Sequence, residues 1–293
     1  MTSSAPALTT AQADVQERRS NRVAMLALYV TLTIIVLVYS LPGLGVLISS
    51  FKTTEEISQG GLWSAPSQIN LDNYGEAWNS GNVRTYVVNS FLVTIPATFL
   101  SILVGLLSGY VVSKLPFRGS NTLFIFVVAG MFFPPQIVLI PLFRLFNTIG
   151  LYDTLWPMII VHTAFGLPIC TLLMRNFFSA IPSALRDAAV VDGANEGQVL
   201  LRIMLPISLP ALAVLGTLQF TWIWNDFLWP LILTQSDSMR TVMVGLVTLK
   251  GQYSVAWGVQ GAMAVIASIP TLVIFVFFQR YFIQGMTLGA VKG

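Results

Sequence analysis

IPSALRDAAVVDGANEGQVLLRIMLP, residues 181–206, is a polar, small-residue stretch set between two long apolar runs. It reads as two short helices joined by a turn. Ser183 after Pro182 is a plausible N-cap. Ala184, Ala188 and Val191 fall at i, i+4 and i+7 and give one small-sided face. Gly193 permits the positive-φ turn that ends the first helix. Val199 and Ile203 are one turn apart on the second. Pro206 is expected to stop that helix and begin the next apolar run. A small-faced helix flanked by charge suits docking into a groove on a partner.

The runs on either side, about 155–175 and 207–233, set the class of the molecule. Of 293 residues, 55% are hydrophobic and 9% charged, against about 25% charged in an average soluble domain. A mean hydropathy of +0.77 agrees. This excludes a soluble globular enzyme, a disordered chain and a coiled coil. It points to an all-α polytopic membrane protein, because a bilayer core demands about 20 apolar residues per helical span. The apolar runs are continuous rather than alternating, which argues against a membrane β-barrel.

Six spans are expected: about 25–49, broken at Leu41-Pro42-Gly43; 86–112, with Pro96; 122–143, with Pro134-Pro135; 155–175, with Pro168; 207–233; and 262–283, with Pro270. Residues 1–24 read as a disordered or amphipathic cytoplasmic tail, and no cleaved signal peptide is expected. Residues 25–84 would hold the first span and an external segment, 85–283 a five-helix core with the loop 176–206, and 284–293 a cytoplasmic tail. With both termini inside, the inner segments carry Arg18, Arg19, Arg22, Lys114, Arg118, Arg175, Arg186, Arg202, Arg280 and Lys292. The outer ones carry only Lys52, Arg84, Arg144, Arg240 and Lys250, the asymmetry of the positive-inside rule. The external segment 52–85, with its aromatic and Asn/Gly content, reads as an ordered cap rather than a linker.

Asp187-Ala188-Ala189, Gly193 and Ile203-x-Leu205-Pro206 resemble the "EAA" loop of permease subunits of bacterial binding-protein-dependent ABC importers. Asp187 stands where that family usually has Glu, keeping the charge with a shorter reach. The resemblance implies the permease fold of type I importers. It implies that the loop is a coupling helix seated in a cleft of a cytoplasmic ATPase, with Arg186, Asp187, Ala188, Ala189, Asp192, Gly193, Ala194, Ile203 and Pro206 as the coupling residues. Trp224-Asn225-Asp226-Phe227-Leu228-Trp229-Pro230 and the C-terminal Gly285-Met286-Thr287-Leu288-Gly289-Ala290-Val291-Lys292-Gly293 are similar to carbohydrate importers, the latter to the maltose-type second permease subunit. There the tail reaches between the ATPase subunits, which would give Gly285, Thr287, Gly289 and Lys292 that role. The partners so implied are a second homologous permease, an ATPase dimer, an extracytoplasmic sugar-binding protein and membrane lipid. An importer of a non-sugar such as glycerol phosphate or a polyol remains an alternative, and a more distant one is an ion-coupled secondary transporter.

Asp226 is the one acidic residue placed within a span, and an intramembrane carboxylate marks a functional candidate. With Trp222, Trp224, Asn225 and Trp229 it could line a substrate pathway, aromatic faces and polar groups together suiting a sugar. The competing reading is a structural lock with an interfacial tryptophan belt. Pro134-Pro135-Gln136 could expose backbone to the pathway or simply kink a helix for packing. His162 reads as a packed hydrogen-bonding residue. Ser101, Gly105, Ser108 and Gly109 show the small-residue spacing of helix packing.

One cysteine (Cys170) and one histidine exclude a disulfide framework and a His/Cys zinc site. No phosphate-cradling GxxxxGK[ST] loop occurs, so no catalytic residue, metal or cofactor is expected on this chain, and ATP and Mg would belong to a partner subunit. No Lys/Arg block argues for nucleic acid.

Overall fold

The computed structural model describes residues 10–79, 82–248 and 256–290. The described residues are all-helical. In chain order the helices are α1 (Thr10–Ser49), α2 (Thr54–Gly60), α3 (Asp72–Asn79), α4 (Val83–Lys114), α5 (Ser120–Ala129), α6 (Pro135–Thr148), α7 (Trp156–Ala180), α8 (Ser183–Val191), α9 (Glu196–Val199), α10 (Leu205–Trp224), α11 (Leu228–Leu233), α12 (Val242–Thr248) and α13 (Trp257–Ala290). Segments 21–49, 83–114, 156–180, 196–224 and 257–281 are long and apolar enough to cross a membrane. The pair α5–α6, bent by 94°, makes a sixth if counted as one span.

α4 and α7 form the centre of the bundle. Their backbones touch where α4 carries glycine: a Cβ on Gly105 would lie 2.2 Å from the Cys170 Cβ, and one on Gly109 2.7 Å from the Met174 Cβ. Ser101 adds a 3.3 Å bond to the His162 carbonyl, and Ser108 meets the Thr171 hydroxyl at 2.7 Å. Lipid offers no hydrophobic drive between helices, so close approach and hydrogen bonds hold them. The small-residue spacing expected from the sequence is this contact. α10 packs against both α4 and α7, and α13 closes the far side against α10.

The two ends of the bundle are distinguished by their contacts. At one end Lys114 Nζ donates to the Ile181 carbonyl at 2.5 Å, and Arg175 lies over the Phe124 ring near the start of α5. At the other, Asn82 and Tyr86 donate to Asp237 at 2.8 and 2.7 Å, and Asp153 accepts the Gln235 amide at 2.8 Å. α5–α6 therefore runs from the first end to the second, as one bent span. α8 lies at the first end. α2 and α3 lie at the second, beside the end of α1 and the start of α13. Asn73 Nδ2 clamps the Ser50 and Lys52 carbonyls at 2.9 Å each, and Lys52, fully buried, donates to Gly61 O and Ser64 Oγ at 2.7 and 2.6 Å. The segment after α1 is thus an ordered cap.

The tail read as disordered or amphipathic is helical from Thr10, continuous with the first span. Three expectations are corrected. Pro42 does not break that helix; α1 runs through it, as α4, α7 and α13 run through Pro96, Pro168 and Pro270. A lone proline forfeits one hydrogen bond, which a span tolerates. Pro134-Pro135 acts differently because each proline forces its predecessor out of the helical region. Phe133 and Pro134 are extended (ψ 115 and 123), and the third span turns sharply there. Finally, the fifth span begins earlier and ends sooner than 207–233. Pro206 does not stop a helix: α9 passes through one wide π-type turn, Leu200–Met204, into α10 without a break. That turn sits just where Pro206 removes a backbone donor, the kind of local adjustment that reabsorbs a missing donor. At the other end α10 stops at Trp224 and α11 is separate.

Candidate functional site

Two regions collect the residues singled out in the sequence. The first is the loop carrying α8. Ser183 is the first helical residue rather than its cap, since Pro182 holds the cap position in extended conformation. The helix ends at Gly193, whose φ of +88° is the left-handed conformation that favours glycine. There the Gly193 and Ala194 amides donate to the Val190 and Ala189 carbonyls at 3.0 and 2.9 Å. Asn195 then caps α9 with a reciprocal Asn195–Gln198 box, both bonds 2.9 Å.

Ala189 and Ala194 pack against the core formed by Tyr110, Phe178 and Val199. Ala184, Ala188 and Val191 face outward with Leu185 and Val190, and Val191 is 86% exposed. An exposed apolar face on a short helix is an unpartnered surface. Asp187 and Asp192 are exposed beside it, and Arg186 joins Asp187 at 3.1 Å. Arg186 also pairs with the Glu196 carboxylate, its Nε at 3.2 Å from Oε2, and the hydrogen bond to Glu196 raises its already high pKa. Ile203 lies in the π-type turn, half-buried, and Pro206 is exposed at the start of α10. Glu196, Tyr110 and Lys114 fix the loop to the bundle, and the sequence marked only Lys114, as an inner charge. Tyr110–Glu196 and Lys114–Ile181 join residues 86 and 67 apart in the chain. Gly285, Thr287 and Gly289 fall in the last turns of α13, and Lys292 lies outside the described residues.

The second region is a pocket of about 200 Å³ between α7, α10 and α11, bounded by Pro135 at the bend of the third span. Trp222, Asp226 and Trp229 line it; Trp224 and Asn225 do not. Trp224 is 1% exposed, stacks on Phe220 at 5.6 Å and donates to the Ala267 carbonyl at 2.9 Å, which makes it a core residue tying α10 to α13. Asn225 is exposed and bonds its own helix at Thr221 O, 2.8 Å.

Asp226 sits in the break between α10 and α11 rather than inside a helical span. Its carboxylate accepts the Leu228 and Trp229 amides at 3.3 and 3.1 Å and so starts α11. Facing it is His162 on α7, with Nε2 at 3.4 Å from Asp226 Oδ2. That nitrogen is buried and completes no hydrogen bond. Gln219, 2% exposed, also lines the pocket, and its amide donates to Cys170 Sγ at 3.3 Å and, at the longer 3.4 Å, to Gly166 O. The sequence suggests a packed, hydrogen-bonding role for His162. Burial is as expected; the satisfied hydrogen bond is not.

Residues 101–288 match the family described as "Binding-protein-dependent transport system inner membrane component". Among curated proteins, the chain is 30% identical over 276 residues to the probable ABC transporter permease protein YurM of Bacillus subtilis, covering 94% of this chain and 91% of that one. It is 32% identical to the arabinooligosaccharides transport system permease protein AraQ of Halalkalibacterium halodurans, covering 94% and 100%. A solved bacterial ABC transporter that imports the acidic polysaccharide alginate shares the fold, with a TM-score of 0.79, 24% identity, and coverage of 95% of this chain and 100% of that one. A span-forming helical bundle with no ATPase loop, matched over most of its length, has one family reading: the chain belongs to the inner membrane components of binding-protein-dependent transport systems, as a multi-pass ABC importer permease subunit and not an ATPase.

Proposed function

We propose that this subunit forms half of the translocation pathway for a sugar, paired with a second homologous permease, and that α8 is the element through which an ATPase dimer drives it. The observation that carries the reading is the helix Ser183–Val191, held at one end of the bundle with Ala184, Ala188 and Val191 uncovered and ended by the positive-φ Gly193. A small-residue face admits close approach of a partner's groove, and Asp187 and Asp192 beside it supply charge for orientation.

In this reading both chain ends and α8 face the cytoplasm, since Lys114, Arg118, Arg175, Arg186 and Arg202 gather at that end. A binding protein delivers the sugar at the opposite face, above the cap built from α2 and α3. ATP with Mg closes the ATPase dimer, α8 moves with it, and the bundle shifts from inward- to outward-facing. This is a two-state equilibrium biased by differential binding. The tail from Gly285 onward makes a second contact with the ATPase. The sugar class is supported by relatives named for arabinooligosaccharides and for alpha-glucosides (AglG of Rhizobium meliloti). A second reading is a non-sugar solute such as glycerol phosphate or a polyol; GgtD of Synechocystis, 33% identical, is named for uptake of osmoprotective compounds.

The test is Ala188→Arg in the complete complex in proteoliposomes. The side chain is exposed, so insertion and folding are expected to be unaffected, while ATP-dependent uptake and co-purification of the ATPase are lost. Undiminished uptake by that variant would remove α8 from the docking role. Deleting 285–293 is expected to weaken ATPase stimulation more than assembly.

A further inference from the structure

We propose that the pocket between α7, α10 and α11 is a ligand-contact site of this subunit, built for one ring of a neutral polyhydroxylated ligand and selective against acidic sugars; this rests on the sugar-importer reading above.

The polar groups ask for a hydroxyl. His162 Nε2 is buried with no hydrogen-bond partner, and Asp226 Oδ2 stands 3.4 Å away without completing a bond to it. A buried polar atom that faces a cavity unpaired by the protein gains from a bound group that can hydrogen-bond it. A hydroxyl seated there accepts from one group and donates to the other, since it carries one donor and two lone pairs. A carboxylate, by contrast, would meet Asp226 with like charge. Asp226 has lone pairs to spare beyond the Leu228 and Trp229 amides. Gln219, whose Nε2 donates to Cys170 Sγ and Gly166 O, leaves its amide oxygen at the same wall.

The apolar groups ask for a ring with C–H faces. Trp222 presents an exposed indole, and Trp229 a buried one braced on Phe165 at 5.6 Å. Electron-rich indole faces attract the weakly positive C–H groups of a pyranose. About 200 Å³ is below the roughly 300–1,000 Å³ of pockets that enclose a whole drug-sized ligand, so one ring is the fit rather than an oligosaccharide. No Lys or Arg is among the lining residues, while one carboxylate is. A ligand bearing its own carboxylate therefore meets the Asp226 carboxylate with no Lys or Arg to offset it.

The experiment uses the complete complex with its binding protein in proteoliposomes. The probes are radiolabelled maltose, cellobiose, trehalose and melibiose, with digalacturonate as the acidic counterpart. Wild-type uptake is measured first: no uptake of any neutral disaccharide overturns the sugar reading itself, before any variant is made. Uptake of digalacturonate as fast as the best neutral sugar overturns the selectivity claim.

Monodeoxy derivatives of the transported sugar are then compared in wild type, Asp226→Asn and His162→Gln. The expected result is a loss of about tenfold for one deoxy position in wild type, the size of one charge-assisted hydrogen bond. In either variant the parent sugar should show a similar loss and the deoxy sugar none beyond it. A purely structural role would leave the deoxy penalty equal in wild type and variants, and that result, or unchanged uptake of the parent sugar, overturns the site. If either variant fails to co-purify with its companions, Trp222→Ala decides: its indole is exposed, so uptake should fall severalfold with assembly intact, and unchanged uptake counts against the site.

Discussion

The Tyr110 hydroxyl donates to Glu196 Oε2 at 2.7 Å, joining the side of α4 to the first residue of α9. The same carboxylate holds Arg186 of α8. One acidic group thus ties α8 and α9, which are neighbours in the chain, to Tyr110 of α4, 86 residues away from Glu196 in sequence. Surface ion pairs are worth little singly; here the value lies in geometry, because Tyr110 is 3% exposed and has committed its hydroxyl.

Removing one partner of that bond should therefore cost more than removing the other. Glu196→Ala leaves the buried Tyr110 hydroxyl without its acceptor and should destabilise by about 1–3 kcal/mol. Tyr110→Phe removes the donor and should cost less. Denaturant unfolding of the detergent-solubilised subunit, run as a double-mutant cycle, checks this. Equal effects of the two single variants with zero coupling would show that the bond is not formed.

Gly193→Val should uncouple ATP hydrolysis from uptake without preventing insertion. A Cβ at this position would meet nothing within 4 Å, so the obstacle is the backbone: φ is +88°. A left-handed conformation costs an L-residue about 1–2 kcal/mol, more for a β-branched one. α8 would lose its stop and its direction. Uptake and ATPase activity measured together in proteoliposomes should separate, with transported solute per ATP falling severalfold. Normal uptake with normal stimulation would count against the coupling assignment.

Gly105→Val should lower stability by about 1–3 kcal/mol through overpacking, because its Cβ would overlap the Cys170 Cβ at 2.2 Å and approach the Cys170 backbone at 2.8 Å. Gly43→Ala, in open space on α1, should be neutral or slightly stabilising. A thermal melt of each variant in detergent distinguishes them, and a Gly105 variant melting like wild type would mean that α4 and α7 are not in backbone contact.

The cap should loosen in acid. Hydrogen bonds from the Ser67 hydroxyl, then from the Thr53 and Ser67 amides, hold the Glu56 carboxyl below its ordinary value. A depressed folded pKa contributes stability that is complete above the unfolded value near 4.3 and is lost as pH falls through the folded one. The protection factor of the Ser67 amide, its exchange rate relative to an unstructured amide at the same pH, should therefore fall below about pH 4.3, and Ser67→Ala should flatten that dependence. A protection factor that does not change with pH in wild type would sink the prediction.

Much of the site is legible in the chain. The turn at Gly193 and the small face of α8 follow from local chemistry, in which each residue's neighbours in sequence are its neighbours in space. The spacing of Gly105 and Gly109 announces a close helix contact, though not that Cys170 and Met174 supply the other surface. The hydrophobic runs locate the spans, but not the turn at Pro134-Pro135, where two adjacent prolines combine into a bend that neither produces alone. Pro206 misleads because a helix can reabsorb one missing donor in a wider turn, an adjustment invisible to a rule about single residues. Trp224 and Asp226, two residues apart, read in sequence as neighbours on one pathway. The end of α10 between them sends one into the core and the other into a pocket.

By itself the sequence determined that this is a helical membrane bundle with a short small-residue helix at its basic end and no ATPase loop. Those facts rest on composition, on charge distribution, and on helix period and capping, which act over a few residues. Only the tertiary structure brought His162 to Asp226 and Tyr110 to Glu196. These pairs are separated by 64 and 86 residues of chain, and their meeting depends on how closely α4 and α7 approach and on the angle at which α10 crosses them. Long-range contacts of this kind are set by packing of whole helices, which no local run of residues encodes.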